Sequence, residues 1–544
     1  MFGFKNNLFQ SVIFLFWILQ YYTFGSDVLR YVLTSLLCIC VVLCVLMYDY
    51  DYWENRGVFS PPVLPVVGHI GPVMAGKEQG GIYFQRIYEM YKDKKFFGIH
   101  QFYRRTLVIC DPDLIKRVCV NDFMHFTDRG FFFDKELDPL AESVLYLRGS
   151  EWKKLRAKIS PLFSPIKLKG MLPLIENTAN KFVIRVKKLV TDAKEAENNN
   201  RDLITKEDSI KTVVVDSDNL LGGYTADAIV PCAFGVKSHV MDNPEDPFAV
   251  ALRAFYELTF FNIFEKMMRH LWPAFVLFFK IRIIPKKTHD FFYNIVANVI
   301  KDRDNGIQEK RGDFIDMMMA LQHEELNNNS EEKENDFKIT NMIIAANAFI
   351  IFLGGYETTS STLAFLFLEL AVHQDIQERM RQEIKEVYEK HNGKMTSEML
   401  QDLTYMDTVI QETLRLYPPF PTIQRICTKD YQIPGSNVVV EKNTIVVFPT
   451  LGLHRDEKYF LNASSFDPSR WKTTPPPGVY MPFGDGPRYC IGKRFAVIQM
   501  KSCLVKVLPH VRMTPARQTQ RTAPFAADPK APMTLHPVDS RITT

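Results

Sequence analysis

Residues 482–492, PFGDGPRYCIG, constrain this chain more than any other stretch. Gly484 and Gly486 admit backbone conformations closed to other residues, and Pro487 stiffens the approach to Cys490. Gly492 follows, and then the pattern Lys493-Arg494-Phe495-Ala496-Val497-Ile498 turns helical. We read a tight glycine-shaped loop that delivers the Cys490 sulfur to the start of a helix. There the free N–H groups and the helix dipole favour thiolate over thiol. A thiolate held this way suits a metal. Arg488 can pair with an anion on the same face, and Phe483 can shield the sulfur from water. The competing reading is an inert cysteine buried in a turn. No second Cys or His stands at zinc-ligand spacing, and the Cys-x-x-Cys-His pattern of covalent haem attachment is absent.

Composition narrows the class. The 544 residues are 47% hydrophobic and 13% aromatic with a net charge of +4, which is core-rich and gives no electrostatic reason to expect nucleic acid. Cys38, Cys40 and Cys44 share an apolar run, while Cys110, Cys119, Cys232, Cys427 and Cys503 are scattered. That is no disulfide framework, and it fits a reducing compartment.

Residues 31–48 carry no charge and, as a helix, span roughly 27 Å, about enough to cross a bilayer. The segment 1–30 holds an earlier apolar run with Gln10 and Gln20: a second span, half of a helical hairpin, or an interfacial helix. Residues 49–72 read as a polar linker and a hinge stiffened by Pro61, Pro62 and Pro65. The remaining 73–544 alternate helical periodicity with short β-rich pieces at 96–99 and 105–110. The apolar stretch 271–284, flanked by Lys280, Arg282, Lys286 and Lys287, is either core or a contact with the bilayer surface.

Residues 339–370 form the longest apolar run outside the N-terminus, but its centre, 354–362, reads GGYETTSST. Glu357 and its hydroxyl neighbours would be costly against lipid. Two mid-helix glycines cost about 1 kcal/mol each relative to alanine and let something flat approach the backbone. A small-residue packing site between helices is the alternative. Elsewhere Trp152 and Arg156 share a helical face, and Glu412 and Arg415 stand at i, i+3, by default a surface pair worth little.

Phe483, Gly486, Arg488, Cys490 and Gly492 match the Phe-x-x-Gly-x-Arg-x-Cys-x-Gly signature of the cytochrome P450 family, which the chain resembles. Residues 354–359 (GGYETT) match its helix I element, and 466–471 (FDPSRW) its meander element. The resemblance implies a mainly α fold with small β-sheets (α+β), a triangular helical body with haem between the family's helices I and L. It implies Cys490 as the thiolate ligand of haem b, with Phe483, Gly486 and Gly492 shaping its loop. Trp152, Arg156, Arg425 and Arg488 would serve the haem propionates. Gly354 and Gly355 would open a groove for O2, Thr358 would supply a hydroxyl beside it, and Glu357 would feed protons. Glu412, Arg415 and Arg470 would be a buried structural triad. The implied activity inserts one atom of O2 into a lipophilic small molecule (xenobiotic, steroid or fatty-acid-like) and reduces the other to water. Electrons would come from NADPH through a separate P450 reductase, since no Gly-x-Gly-x-x-Gly site is visible. Cytochrome b5 and membrane lipid are the further expected partners. The expected place is the endoplasmic reticulum membrane with the catalytic domain facing the cytosol. Lys153, Lys154, Lys158, Lys493 and Arg494 form a candidate docking patch for an acidic partner. A haem-thiolate isomerase or dehydratase needing no reductase, and a non-catalytic haem-based sensor, are the alternatives.

Overall fold

A computed structural model describes residues 49–199, 213–215, 217–256, 268–269, 273–327, 337–515 and 533–537, with scattered positions between 31 and 47. The 1–30 segment lies outside the described residues, as does most of 31–48, where positions 31, 32, 34–36, 39 and 47 are helical. The chain divides into two compact units: residues 1–130 with 422–453, and residues 131–421 with 454–544.

The first unit is built on a four-stranded sheet of β1 (Phe96–Gln101), β2 (Arg104–Ile109), β3 (Ile423–Ile426) and β4 (Ile445–Phe448). Its order is β1-β2-β4-β3, with β2 and β4 parallel and the outer pairs antiparallel. These segments are rich in Val, Ile, Phe and Thr, which suit a pleated, half-buried surface. Residues 49–58 are folded onto this sheet, whereas their polar sequence suggests a free linker. Trp53 is 0% exposed, and its indole N–H donates to the Ile99 carbonyl at 3.1 Å. A Cβ on Gly98 would come within 2.1 Å of that indole, so the sheet admits the ring only because residue 98 is glycine. Tyr52 lies between two guanidinium groups, Arg56 at 3.6 Å and Arg105 at 3.8 Å from its ring centre. Arg105 in turn pairs with Asp49 and Glu441.

The second unit is helical. The elements that matter below are α1 (Gly149–Ile159), α2 (Pro165–Asn199), α3 (Ser217–Phe234), α4 (Lys286–Asp304), α5 (Asn341–Val372), α6 (Thr404–Leu416) and α7 (Lys493–Val507). A three-stranded antiparallel sheet joins Val213–Val215, Met533–Pro537 and Val511–Pro515. The core gathers Phe182 of α2, Leu366 and Leu370 of α5, Val409 and Ile410 of α6, and Cys503 and Leu504 of α7. Mainly helical structure with small sheets is thus the class that the described residues form.

The Thr340 hydroxyl starts α5 by accepting from the Ile343 N–H at 3.2 Å. This helix is long and apolar enough to cross a membrane, yet 56% of its most apolar window is buried inside the protein, as in a core helix. Among its described residues, the 271–284 stretch is only partly core. Val276 and Ile284 are buried, whereas Leu277, Phe278 and Phe279 are exposed, Phe278 by 79%.

Candidate active site

The middle of α5 departs from the burial of the rest. Its ends are packed, but Gly354 and Glu357 are exposed and Thr358 is half-buried. A Cβ on Gly354 would meet nothing within 4 Å, so the helix opens onto free space there. Gly355 does something different: a Cβ on it would touch the Ile229 side chain of α3 at 3.0 Å, so this glycine permits close helix packing. The Thr358 hydroxyl donates to the Gly354 carbonyl at 2.6 Å, and Thr362 donates to the Thr358 carbonyl at 2.7 Å. Such back-bonding satisfies a helical hydroxyl while leaving it able to turn to another acceptor. α5 runs through this region as a continuous helix.

The loop before α7 carries the thiol. Gly484 (φ +74°) and Gly486 (φ +69°) both lie in the left-handed region that glycine tolerates best. The Asp485 carboxylate accepts from the Gly486 N–H at 2.7 Å, and the Cys490 N–H donates to the Phe483 carbonyl at 2.8 Å, which closes the loop. Gly492 caps α7 and sits so that a Cβ on it would be 4.0 Å from the Cys490 sulfur. Phe483 packs against the main core.

Cationic and aromatic groups surround this loop. The Arg488 guanidinium, 2% exposed, lies over the Trp152 ring at 3.8 Å and donates to the carbonyls of Val144 at 3.2 Å and Leu147 at 2.8 Å. Arg156, one turn beyond Trp152 on α1, donates to the Tyr489 carbonyl at 3.2 Å. Burial lowers the pKa of Arg156, and the negative forms of Tyr489 and Cys490 act against that. Arg425 is on β3 in the first unit, buried, and donates to its neighbour's carbonyl, that of Gln424, at 2.9 Å. Of the basic patch, Lys153, Lys154, Lys493 and Arg494 are exposed, while Lys158 is engaged by Glu325.

A brace stands behind the loop. Glu412 and Arg415 are both 0% exposed, so their i, i+3 spacing is a buried bidentate pair, not the surface pair that spacing alone suggests. Glu412 accepts from Arg415 at 2.8 and 2.9 Å, from Arg470 at 2.9 Å, from the Asp467 N–H at 2.9 Å and from the Trp471 indole at 3.0 Å. Arg415 also donates to the carbonyls of His454, Ala463 and Ser465. A buried charge pair is tolerated when its remaining donors and acceptors are used, as here.

Three residues that sequence reasoning missed tie these parts together. The Val144 carbonyl accepts from Arg488, and the Val144 N–H donates to the Asn347 side chain of α5 at 3.0 Å. One residue therefore bonds both to the thiol loop and to the helix that carries Gly354 and Thr358. Asn347 had a signal, a lone amide inside an apolar run. Val144 had none, because its contribution is backbone. The third is His454, whose Nε2 accepts from the Met481 N–H at 3.0 Å at the entry to the thiol loop.

The residues fit a haem. One thiol stands at a helix start, two guanidinium groups and an indole that can serve two carboxylates stand around it, and a glycine face lies open on the helix bonded through Val144 to the same loop. A haem bound here would be held by Cys490, Trp152, Arg156 and Arg488.

The imidazole of His454 gives a pH prediction. Burial, reinforced by the nearby Arg415, pushes its pKa down to about 3. Arg455 also faces it, and the Tyr480 ring lies 5.1 Å away. The unfolded chain titrates near pH ~6.5, so the neutral ring's full contribution is present above that value. It is lost as pH falls from ~6.5 toward 3, at about 1.4 kcal/mol per pH unit. We predict that between pH 7.5 and 5.5 the wild type loses about 1.4 kcal/mol more unfolding free energy than His454→Gln. The glutamine oxygen still accepts from Met481. Denaturant midpoints at the two pH values check this, and parallel losses would refute it.

Comparison with known proteins supplies the family. The cytochrome P450 family model matches residues 59–537. The chain is 32% identical over 517 residues to cytochrome P450 6j1 of Blattella germanica, covering 94% of this chain and 96% of that one. It is 32% identical to cytochrome P450 6B2 of Helicoverpa armigera (88% and 92% covered) and 33% identical to probable cytochrome P450 6a14 of Drosophila melanogaster (86% and 91% covered). With a matching model over most of its length and relatives matched nearly end to end, this chain belongs to the cytochrome P450 family, haem-thiolate monooxygenases that carry haem b, consume O2 and draw NADPH electrons through a reductase.

Proposed function

We propose that this enzyme oxidises a lipophilic small molecule, such as a xenobiotic, a steroid or a fatty-acid-like compound, at a haem ligated by Cys490 and facing the Gly354–Thr358 turn of α5. The observation that carries this reading is Val144, bonded on one side to Arg488 of the thiol loop and on the other to Asn347 of α5. Bound haem supplies the iron at which O2 is reduced. The protein supplies everything that positions and protonates. The closed 483–492 loop holds the Cys490 sulfur, and the dipole of α7 favours its thiolate form. Arg156, Arg488 and Trp152 would hold the haem carboxylates, Arg156 and Arg488 by charge-assisted bonds.

On the open face, the Thr358 Oγ1 proton rests on the Gly354 carbonyl and would be free to turn to an acceptor in the open space beside it. The neighbouring Glu357 carboxyl, exposed on the same turn, takes protons from water and passes them on. The net reaction balances when one oxygen atom enters the substrate and the other leaves as water, with two electrons from NADPH and two protons.

A membrane setting suits such a substrate. The uncharged segment 31–48 is the proposed anchor, and the exposed Leu277, Phe278 and Phe279 are a second place for contact with lipid. Cys110, Cys232, Cys427 and Cys503 are buried thiols, in keeping with a catalytic body on the cytosolic side of the endoplasmic reticulum.

Two experiments test this reading. Thr358→Ala should leave the haem spectra intact but divert NADPH consumption into hydrogen peroxide, lowering the product formed per NADPH, as expected for a lost general acid–base group. Well-coupled turnover in the variant would contradict the role given to Thr358. In sealed microsomes, protease added outside should digest the catalytic body without detergent. Survival until detergent is added would place the body in the lumen.

A further inference from the structure

Residues 49–58 stand directly after the proposed anchor, and Asp49, Asp51, Glu54 and Arg56 give them the composition of a linker. A flexible segment of that length would let its ends range over a root-mean-square span of about 17 Å. The structure leaves no such range, because Tyr50, Asp51, Tyr52 and Trp53 are all buried. The Trp53 indole N–H bonds to Ile99 of β1, and the Tyr50 ring packs on His100 of the same strand with ring centres 5.1 Å apart. Just past the segment, the Gly98 N–H of β1 donates to the Phe59 carbonyl at 2.8 Å. Asp49 pairs with Arg105 of β2, and Arg56 pairs with Glu441, four residues before β4. Within the segment the Asn55 N–H donates to the Asp51 carbonyl at 3.0 Å and the Val58 N–H to the Trp53 carbonyl at 2.9 Å, so the chain folds back on itself. At its start the Tyr50 N–H donates to the Met47 carbonyl at 3.2 Å. Met47 belongs to the uncharged 31–48 segment, so the turn begins on the last residues of that segment and leaves no slack before the sheet.

Two kinds of contact hold this joint. The aromatic rings dominate, since each buried one removes roughly 150–250 Å² from water. The ion pairs are partly exposed and contribute little by themselves, but they stand on either side of the rings and fix their register. Covering the edge strand β1 is the simplest use of such a segment. Backbone pairing alone would cover an edge. Here the sheet gives up a side chain at Gly98 to seat an indole, which makes the joint stiff as well as covered.

We propose that residues 49–58 are a clasp that joins the membrane anchor rigidly to the four-stranded sheet, so that the first unit meets a lipid bilayer in one fixed pose and not on a swinging tether. This rests on the reading of 31–48 as a membrane anchor. The anchor sets an axis through the bilayer, and the clasp sets the angle between that axis and the sheet.

The test uses the full haem-loaded chain in phosphatidylcholine nanodiscs. Nitroxides are carried on p-acetylphenylalanine introduced in place of Ile39, in the anchor, and of Tyr103, exposed in the turn between β1 and β2, which leaves the native cysteines untouched. Pulsed dipolar spectroscopy then reads the distribution of distances between them. Wild type should give one peak, narrower than the ~17 Å of a free ten-residue segment. Gly98→Val fills the seat of the indole, and Trp53→Ala removes its occupant and covers the case in which the first variant folds poorly. Each should widen the distribution at least about twofold, toward the free-chain value. A wild-type distribution as wide as that of the variants would overturn the proposal and leave residues 49–58 as a cover for the sheet edge. Variants as narrow as wild type would overturn it too. Relaxation of the Ile39-site nitroxide by O2 and by a water-soluble nickel chelate separates the two readings. Access to the chelate and not to O2 would strike the anchor reading, whereas a wide distance with O2 access would strike the clasp alone.

Discussion

The site depends on one buried cation. Arg488 stands two residues before Cys490 and is nearly without solvent contact, so its charge must be met inside the protein. The carbonyls of Val144 and Leu147 and the face of Trp152 meet it. That requirement forces residues 144–147 to pass beside the thiol loop and orients α1 through its tryptophan. The Asn347 amide then bonds the same stretch to α5. Removing the guanidinium would take the donor from the buried Leu147 carbonyl and the part-buried Val144 carbonyl, and break the connection between the thiol loop and the helix that carries Gly354 and Thr358.

The two sides of the site follow opposite rules. Behind the sulfur the buried charges are met by partners. Glu412 accepts from two arginines, an indole and a backbone amide, and His454 stays neutral to receive the Met481 N–H. On α5 the rule is openness, since Gly354 leaves space and Thr358 spends its proton on a carbonyl one turn back. A fixed thiolate and an adaptable hydroxyl are what the two halves of an oxygen-activating site require. The cost of the open half, a glycine within a long helix, is borne by the extensive burial of the rest of α5.

Much of this was legible in the sequence, and the parts that were not share a cause. The thiol loop was readable because glycines at fixed offsets from a cysteine have few other uses. The GGYETT element was readable because polar groups inside an apolar run demand an explanation. Side-chain type carried both signals. Val144 acts through its backbone, so its position does not look unusual. Glu412 and Arg415 read as a surface pair because helical spacing does not report burial. Gly354 and Gly355 read alike, and only the packing of α3 against α5 separates an opening from a close contact. Residues 49–58 look like a tether, and what folds them down is the room that Gly98 leaves for Trp53.

The central claim is that these contacts exist to hold the Cys490 sulfur as a thiolate ligand of haem iron. The most direct measurement is the absorbance of the reduced protein under carbon monoxide, before and after Cys490→Ser. Wild type should show the red-shifted band diagnostic of thiolate ligation. The variant should lose that band even where haem is retained. Persistence of the band in Cys490→Ser would contradict the account, because some other sulfur would then be the ligand.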